Sequence, residues 1–279
     1  MKLVDTHLHL WDRRQFPYSW TEGVAPLSRD FLITDYLEAA KGCGISKAIF
    51  MEADVDEPHL LDEARAIQQL AERYPIIGGI IANARPEQEG FAEHLDALRR
   101  LPLLSGIRRV LHTQPDDLPT QPLFIENLQL LGQYGLPFDY CALPHQLKIA
   151  AEVIAQCPHT AFVLDHCGIP DVKGGTLDPW REDMARLAKL PNVLACKVSG
   201  IVAYADPASW SVETLRPWFD HVVECFGWDR LVWGGDWPVC TLTASLKEWV
   251  DATAALAANA SDAERAKLYR HNAERIYAV

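Results

Sequence analysis

The 279-residue sequence has no Cys-x-x-Cys pair, no apolar run long enough to cross a bilayer and no excess of basic charge. Each absence removes a class of function. Its formal net charge is −12, from 38 acidic against 26 basic side chains, whereas a nucleic-acid partner needs a basic face. The acidic excess is spread along the chain, not gathered in a tail, and reads as a solvated surface. Neither nucleic acid nor membrane is an expected partner; a small molecule is. The seven cysteines are odd in number and several sit in apolar runs, so reduced, buried thiols fit better than a disulfide framework. With no apolar leader after Met1, a cytoplasmic location is the expectation. Also missing are a Gly-x-Gly-x-x-Gly after an early strand, a Ser/Gly-rich linker and any block of charge. Those gaps argue against a doubly wound nucleotide-binding sheet and against a domain boundary.

What the sequence does have is regular alternation. Strand-like apolar runs fall at 3–5, 47–51, 76–82, 106–110, 136–140, 161–165, 193–198 and 231–236, with helical stretches between them. The last helical stretch opens with Ser261-Asp262-Ala263-Glu264, a capping-box pattern. Gly78-Gly79 lies mid-strand and is expected to permit close packing. About eight strands alternating with helices imply parallel pairing. The predicted class is α/β: a (β/α)8 TIM barrel, folded as a single domain over 1–279, with 49% hydrophobic residues to fill its core.

In such a barrel chemistry collects at the C-terminal ends of the strands. Here those ends carry His7 and His9, Glu52, Arg108, Asp139, His166, Lys197 and Asp236. Alternation along a strand points His7 and His9 the same way. Taken singly, each residue has a structural role open to it: a cap, a turn anchor, a snorkelling Arg108 or Arg109, a bridge for Lys197. As a converging ring they read as a site. The aromatic, proline-containing segment from Trp11 to about Asp30 lies over the same barrel end, as a packing lid or as part of the site.

On Asp5-Thr6-His7-Leu8-His9-Leu10-Trp11, Val163-Leu164-Asp165-His166-Cys167-Gly168 and Trp233-Gly234-Gly235-Asp236-Trp237-Pro238-Val239, the sequence resembles the amidohydrolase superfamily. Gly106-Ile107-Arg108, Phe138-Asp139-Tyr140-Cys141 and Cys196-Lys197-Val198-Ser199-Gly200 make it similar to the lactonase branch, which holds sugar lactonases and pyrone-dicarboxylate lactonase. The chain departs from the superfamily's binuclear pattern, with no lysine ending strand four and Asp139 where strand five has a histidine. The resemblance therefore implies one divalent ion, zinc by donor type, held by His7, His9, Glu52 and Asp236, or a metal-free site. The implied activity is hydrolysis of a small lactone, a sugar-acid lactone above all. Asp236 is the expected general base, with His166 orienting it or binding substrate. Arg108, Lys197 and Asp139 are expected at the substrate, and Trp11, Tyr140 and Trp237 as its apolar walls. A non-oxidative decarboxylase and a metabolite-binding barrel without turnover are the alternatives.

Overall fold

The computed structural model describes residues 2–279. Eight strands alternate with helices: β1 Leu3–Leu8, α1 Ile33–Ala39, β2 Ile45–Met51, α2 Leu60–Arg73, β3 Ile77–Asn83, α3 Phe91–Leu98, β4 Leu104–Val110 and α4 Pro122–Gln133. Then come β5 Phe138–Cys141, α5 Leu147–Ala155, β6 Phe162–Leu164, α6 Trp180–Leu187, β7 Val193–Val198, α7 Val212–Phe226 and β8 Leu231–Trp233. Every strand pairs in parallel with the next in sequence. Closure comes from a parallel bridge between Leu8 and Trp237, and from the Thr6 hydroxyl donating to Trp233 O at 2.8 Å. The result is the expected (β/α)8 barrel.

Strand alternation sorts the side chains. Ile49, Met51, Ile81, Val163, Ala195 and Val232 face the barrel axis, while Phe50, Phe138, Tyr140 and Phe162 face the helices. The chain end closes the barrel from below. After α8 (Leu246–Leu256) and α9 (Asp262–Ala266), α10 (Asn272–Tyr277) brings Ala273 and Tyr277 into the axial cluster. A Cβ on Gly79 would lie 2.8 Å from Val279 Cγ1, and one on Gly78 2.5 Å from Lys47 Cδ, so the glycine pair does serve close approach. The capping box forms as read, with the Ser261 N–H donating to Glu264 Oε2 at 2.7 Å.

Two strands end earlier than their apolar runs suggest. Asp165 and Asp236 leave the sheet because the backbone turns left-handed there: φ is 51° at His166, 53° at Cys167, 48° at Ile169 and 52° at Asp236. Non-glycine residues pay for that conformation and hold it only where surroundings dictate it. Trp180 Nε1 donates to Cys167 O at 2.8 Å and supplies part of that constraint. The segment between Trp11 and Phe31, which pair with each other, folds into two short 3-10 turns at Ser19–Gly23 and Ala25–Leu27.

Candidate active site

β1 places the first pair of imidazoles through an irregularity. Its register against β2 shifts between Asp5 and Leu8. Asp5 therefore faces α1, accepting from Tyr36 Oη at 2.8 Å, while His7 two residues on turns to the axis. His9 turns the same way, and the two Nε2 atoms lie 3.1 Å apart.

Beneath the histidines runs a column of charge along the axis. Lys197 Nζ is 2.9 Å from Asp165 Oδ1, 3.2 Å from Asp139 Oδ1 and 3.3 Å from His7 Nδ1. Asp139 also accepts from Tyr277 Oη at 2.6 Å, so the chain end anchors the column from below. All three charged residues have no exposed surface. Burial lowers the Lys197 pKa, but Asp139 and Asp165 outweigh it and the net shift is upward. Burial likewise raises Asp165, yet Lys197 and His7 hold it well below the ordinary carboxylate range. Asp139 goes the other way: burial pushes it up to about 6 against the pull of Lys197.

Above the column, Arg108 Nη1 sits 3.0 Å from His7 Nε2, and its Nε is 2.8 Å from Glu52 Oε1. Neighbouring Arg109 points away and pairs with Glu87 at 2.8 Å. Asp236 stands opposite, its Oδ1 3.8 Å from His7 Nε2 and 3.7 Å from His9 Nε2. Its Oδ2 has no hydrogen-bond partner and lies 3.8 Å from His166 Nδ1, which meets Ser199 Oγ at 2.9 Å. Burial pushes Asp236 well above the usual carboxylate range. It also keeps the histidines neutral, His7 and His9 well below their ordinary value and His166 down to about 3.

The donor set fits one metal ion. His7 Nε2, His9 Nε2 and Asp236 Oδ1 form a triangle with sides of 3.1, 3.7 and 3.8 Å. Its centre is about 2.1 Å from each atom, against roughly 2.0–2.2 Å for zinc bonds to nitrogen and oxygen. The protons follow from the partners of each ring. His9 Nδ1 is 3.0 Å from Met51 O, which only accepts, so His9 Nε2 is bare. His7 has two arrangements. Either its Nε2 is bare toward Arg108 and its Nδ1–H faces Asp165 Oδ1 at 3.5 Å, or its Nε2–H bridges to His9. The first leaves two lone pairs facing each other, the arrangement a cation satisfies; the second puts a proton in the cation's place.

A cavity of about 460 Å³ opens above these groups. His9, Arg108, His166 and Asp236 form its floor; His112 and Tyr204 line its wall. Its roof is apolar: Trp20 and Leu27 from the two 3-10 turns, Val24 between them, and Val239 and Leu242 from the loop after β8. That volume suits one small molecule.

Set against the sequence, the structure brings His9, Arg108, His166 and Asp236 together on the cavity, with His7 buried directly behind them. Other expected residues fall elsewhere. Glu52 is committed to Arg108 and to the Asp54 N–H at 2.7 Å, outside the triangle. Lys197 and Asp139 lie under the floor, with no surface for a substrate. Tyr140, next in sequence to inward Asp139, must face outward, and packs on Phe138 and Phe162. Trp237 packs on Phe31 and Tyr36. Trp11 lines a separate 320 Å³ cavity beside Tyr18 and Glu63. The sequence reading passed over Asp165, Ser199, His112 and Tyr204. Asp165 and His112 carried a signal, each being a polar residue at or just past a strand end.

Comparison with known proteins adds kinship. A family model described as Amidohydrolase matches residues 4–279. An L-fucono-1,5-lactonase of Burkholderia multivorans is 30% identical, over 99% of this chain and 96% of its own. An L-rhamnono-gamma-lactonase of Scheffersomyces stipitis is 22% identical, over 100% and 99%. The crystal structure of an amidohydrolase from Burkholderia multivorans with bound zinc superposes with a TM-score of 0.90 at 27% identity, covering both chains completely.

Proposed function

The chain belongs to the amidohydrolase family, and on that premise we propose that it opens a small lactone by hydrolysis, the lactone of a sugar acid. One observation carries the reading. Asp236 Oδ2 is unpartnered at the cavity floor, 3.8 Å from His166 Nδ1, with the histidine pair beside its other oxygen and Arg108 across from it. The lactonases among its relatives supply the substrate class.

Hydrolysis needs an activated water, a stabilised oxyanion and a protonated leaving alkoxide. Asp236 accepts the proton of a water on the floor, leaving hydroxide character to attack the lactone carbonyl. Burial raises the basicity of that carboxylate. The carbonyl oxygen becomes an oxyanion beside Arg108, which stays cationic: burial opposes its charge, but Glu52, Asp165 and Asp236 outweigh it. When the tetrahedral adduct collapses, the ring C–O bond breaks and Asp236 returns its proton to the departing oxygen. His166, held by Ser199, sits beside Asp236 and orients it. One zinc ion held by His7, His9 and Asp236 would polarise the carbonyl and acidify the water.

The test is Asp236→Asn against a panel of lactones. Turnover on the best substrate falls about 10²- to 10⁴-fold, the usual loss for a general base, with unchanged circular dichroism. Undiminished turnover overturns the assignment.

A further inference from the structure

His112 follows β4 in the loop 111–113 and plays no part in the chemistry above. One side of its ring is fixed: Nδ1 lies 3.2 Å from Cys141 Sγ, at the end of β5. The residue lines the cavity, and the hydrogen bond of its ring among the described residues is the one at Nδ1, so Nε2 on the other side is left for a ligand.

The thiol decides which nitrogen carries the proton. Cys141 is free and fully buried, and burial pushes its thiol well up, so it stays S–H. A thiol is a weak donor, and its sulfur a weaker acceptor than an imidazole lone pair. The favoured bond is therefore Sγ–H to a bare Nδ1. A neutral imidazole bare at Nδ1 carries its hydrogen at Nε2. We propose that His112 is a substrate-binding donor, its Nε2–H aimed into the cavity and locked there by Cys141 as a positioning residue. The partner is an oxygen with a free lone pair: a carbonyl, ring oxygen or hydroxyl of the bound lactone. That identity of the ligand rests on the hydrolase reading.

The strand pair builds the lock. β4 and β5 pair with Val110 opposite Cys141, so the residue that ends β5 sits beside the loop that begins past Val110. The Leu111 N–H donates to Cys141 O at 3.2 Å and holds the two segments together. Trp20 and the aliphatic side chains Val24 and Leu27 line the same cavity, so apolar surface surrounds the one polar ring edge offered there.

Two measurements test this. In protein carrying ¹⁵N-labelled histidine at pH 7, the ring signals of His112, identified by their loss in His112→Phe, show the Nε2–H tautomer. In Cys141→Ala they shift toward a mixture of tautomers; in Cys141→Ser, which keeps a donor, they do not. A bare Nε2 in the wild type overturns the proposal. Kinetics supply the second readout. On the best lactone, His112→Phe loses roughly twofold to tenfold in kcat/KM, chiefly through KM, as one hydrogen bond would give. Cys141→Ala loses less, and loses nothing further when His112 is already Phe. Equal loss in both backgrounds makes Cys141 a packing residue, and wild-type kinetics in His112→Phe removes the donor; either result overturns the proposal. A wild type that opens no lactone at all overturns the hydrolase reading, while the nitrogen signals still decide this one.

Discussion

Replacing Lys197 with methionine separates a structural cation from a substrate cation. The side chain is fully buried, with Asp165 at 2.9 Å and Asp139 at 3.2 Å. At an effective dielectric of about 20, each attraction is about 5–6 kcal/mol before desolvation. Desolvation of the ammonium cancels much of this, and removal of one partner from a buried pair typically costs about 3–5 kcal/mol. Methionine matches the length of the stem and fills the space, so little of the loss comes from a void. At roughly 2–4 °C per kcal/mol for a domain of this size, thermal unfolding at pH 8 falls by roughly 6–20 °C.

The loss in Lys197→Met depends on pH with a definite sign. Asp139 titrates at about 6 even beside the lysine, above the ordinary carboxylate. Without the cation, its folded pKa rises further. At that carboxylate the folded variant then binds more protons than the unfolded chain, so its contribution to stability is greatest in acid and declines as pH rises through that folded pKa. The gap from wild type is therefore smaller at pH 5 than at pH 8, and Lys197→Met/Asp139→Asn recovers part of it. Calorimetry at the two pH values, with kcat/KM on the best lactone, makes the measurement. An unchanged melting temperature with lost turnover refutes the buried-column argument and returns Lys197 to the substrate.

Further outcomes are expected elsewhere. Burial, aided by Arg108, holds His112 down to about 4, so between pH 6.5 and 4 the unfolded chain binds its proton and the folded one does not. Stability therefore drops as pH falls through that window, by at most about 3 kcal/mol from this residue, and denaturant titration finds that much less acid loss in His112→Phe. Gly200 has φ +67°, and a Cβ there would lie 2.5 Å from His166 Nδ1 and 3.1 Å from Asp236 Oδ2. Gly200→Ala thus loses turnover well beyond what its destabilisation of about 1 kcal/mol or more explains, read as kcat beside melting temperature. Elemental analysis finds zinc in the wild type and less in His9→Gln, and chelation lowers turnover; full activity without bound metal removes the ion. Ser261→Ala loses about 1 kcal/mol through its helix cap, with kinetics unchanged.

The barrel was legible because its determinants are local and repeated. Apolar runs, helix periods and the Ser261 cap are written within a few residues of where they act. The same holds for the polar residues at the strand ends, since strand order alone brings His7, His9, Arg108, His166 and Asp236 to one mouth, although the β1 irregularity and the left-handed turns at His166 and Asp236 set how they point. Tyr140 shows the limit of a motif: it neighbours Asp139 in sequence, but strand parity sends the two to opposite faces.

What only the tertiary structure decided is which of those charges line the cavity and which are buried against each other. Lys197 and Asp139 look like site residues in sequence. The axial column closed by Tyr277, from the far end of the chain, turns them into the floor beneath it. Glu52 has the chemistry of a ligand, yet Arg108 reaches it first at 2.8 Å. Coulomb energy between buried groups depends on separations of a few ångströms across strands dozens of residues apart in sequence, and no local pattern encodes those distances. Residue types at the strand ends marked the mouth; packing along the barrel axis brought His7, His9 and Asp236 within 3.8 Å of one another.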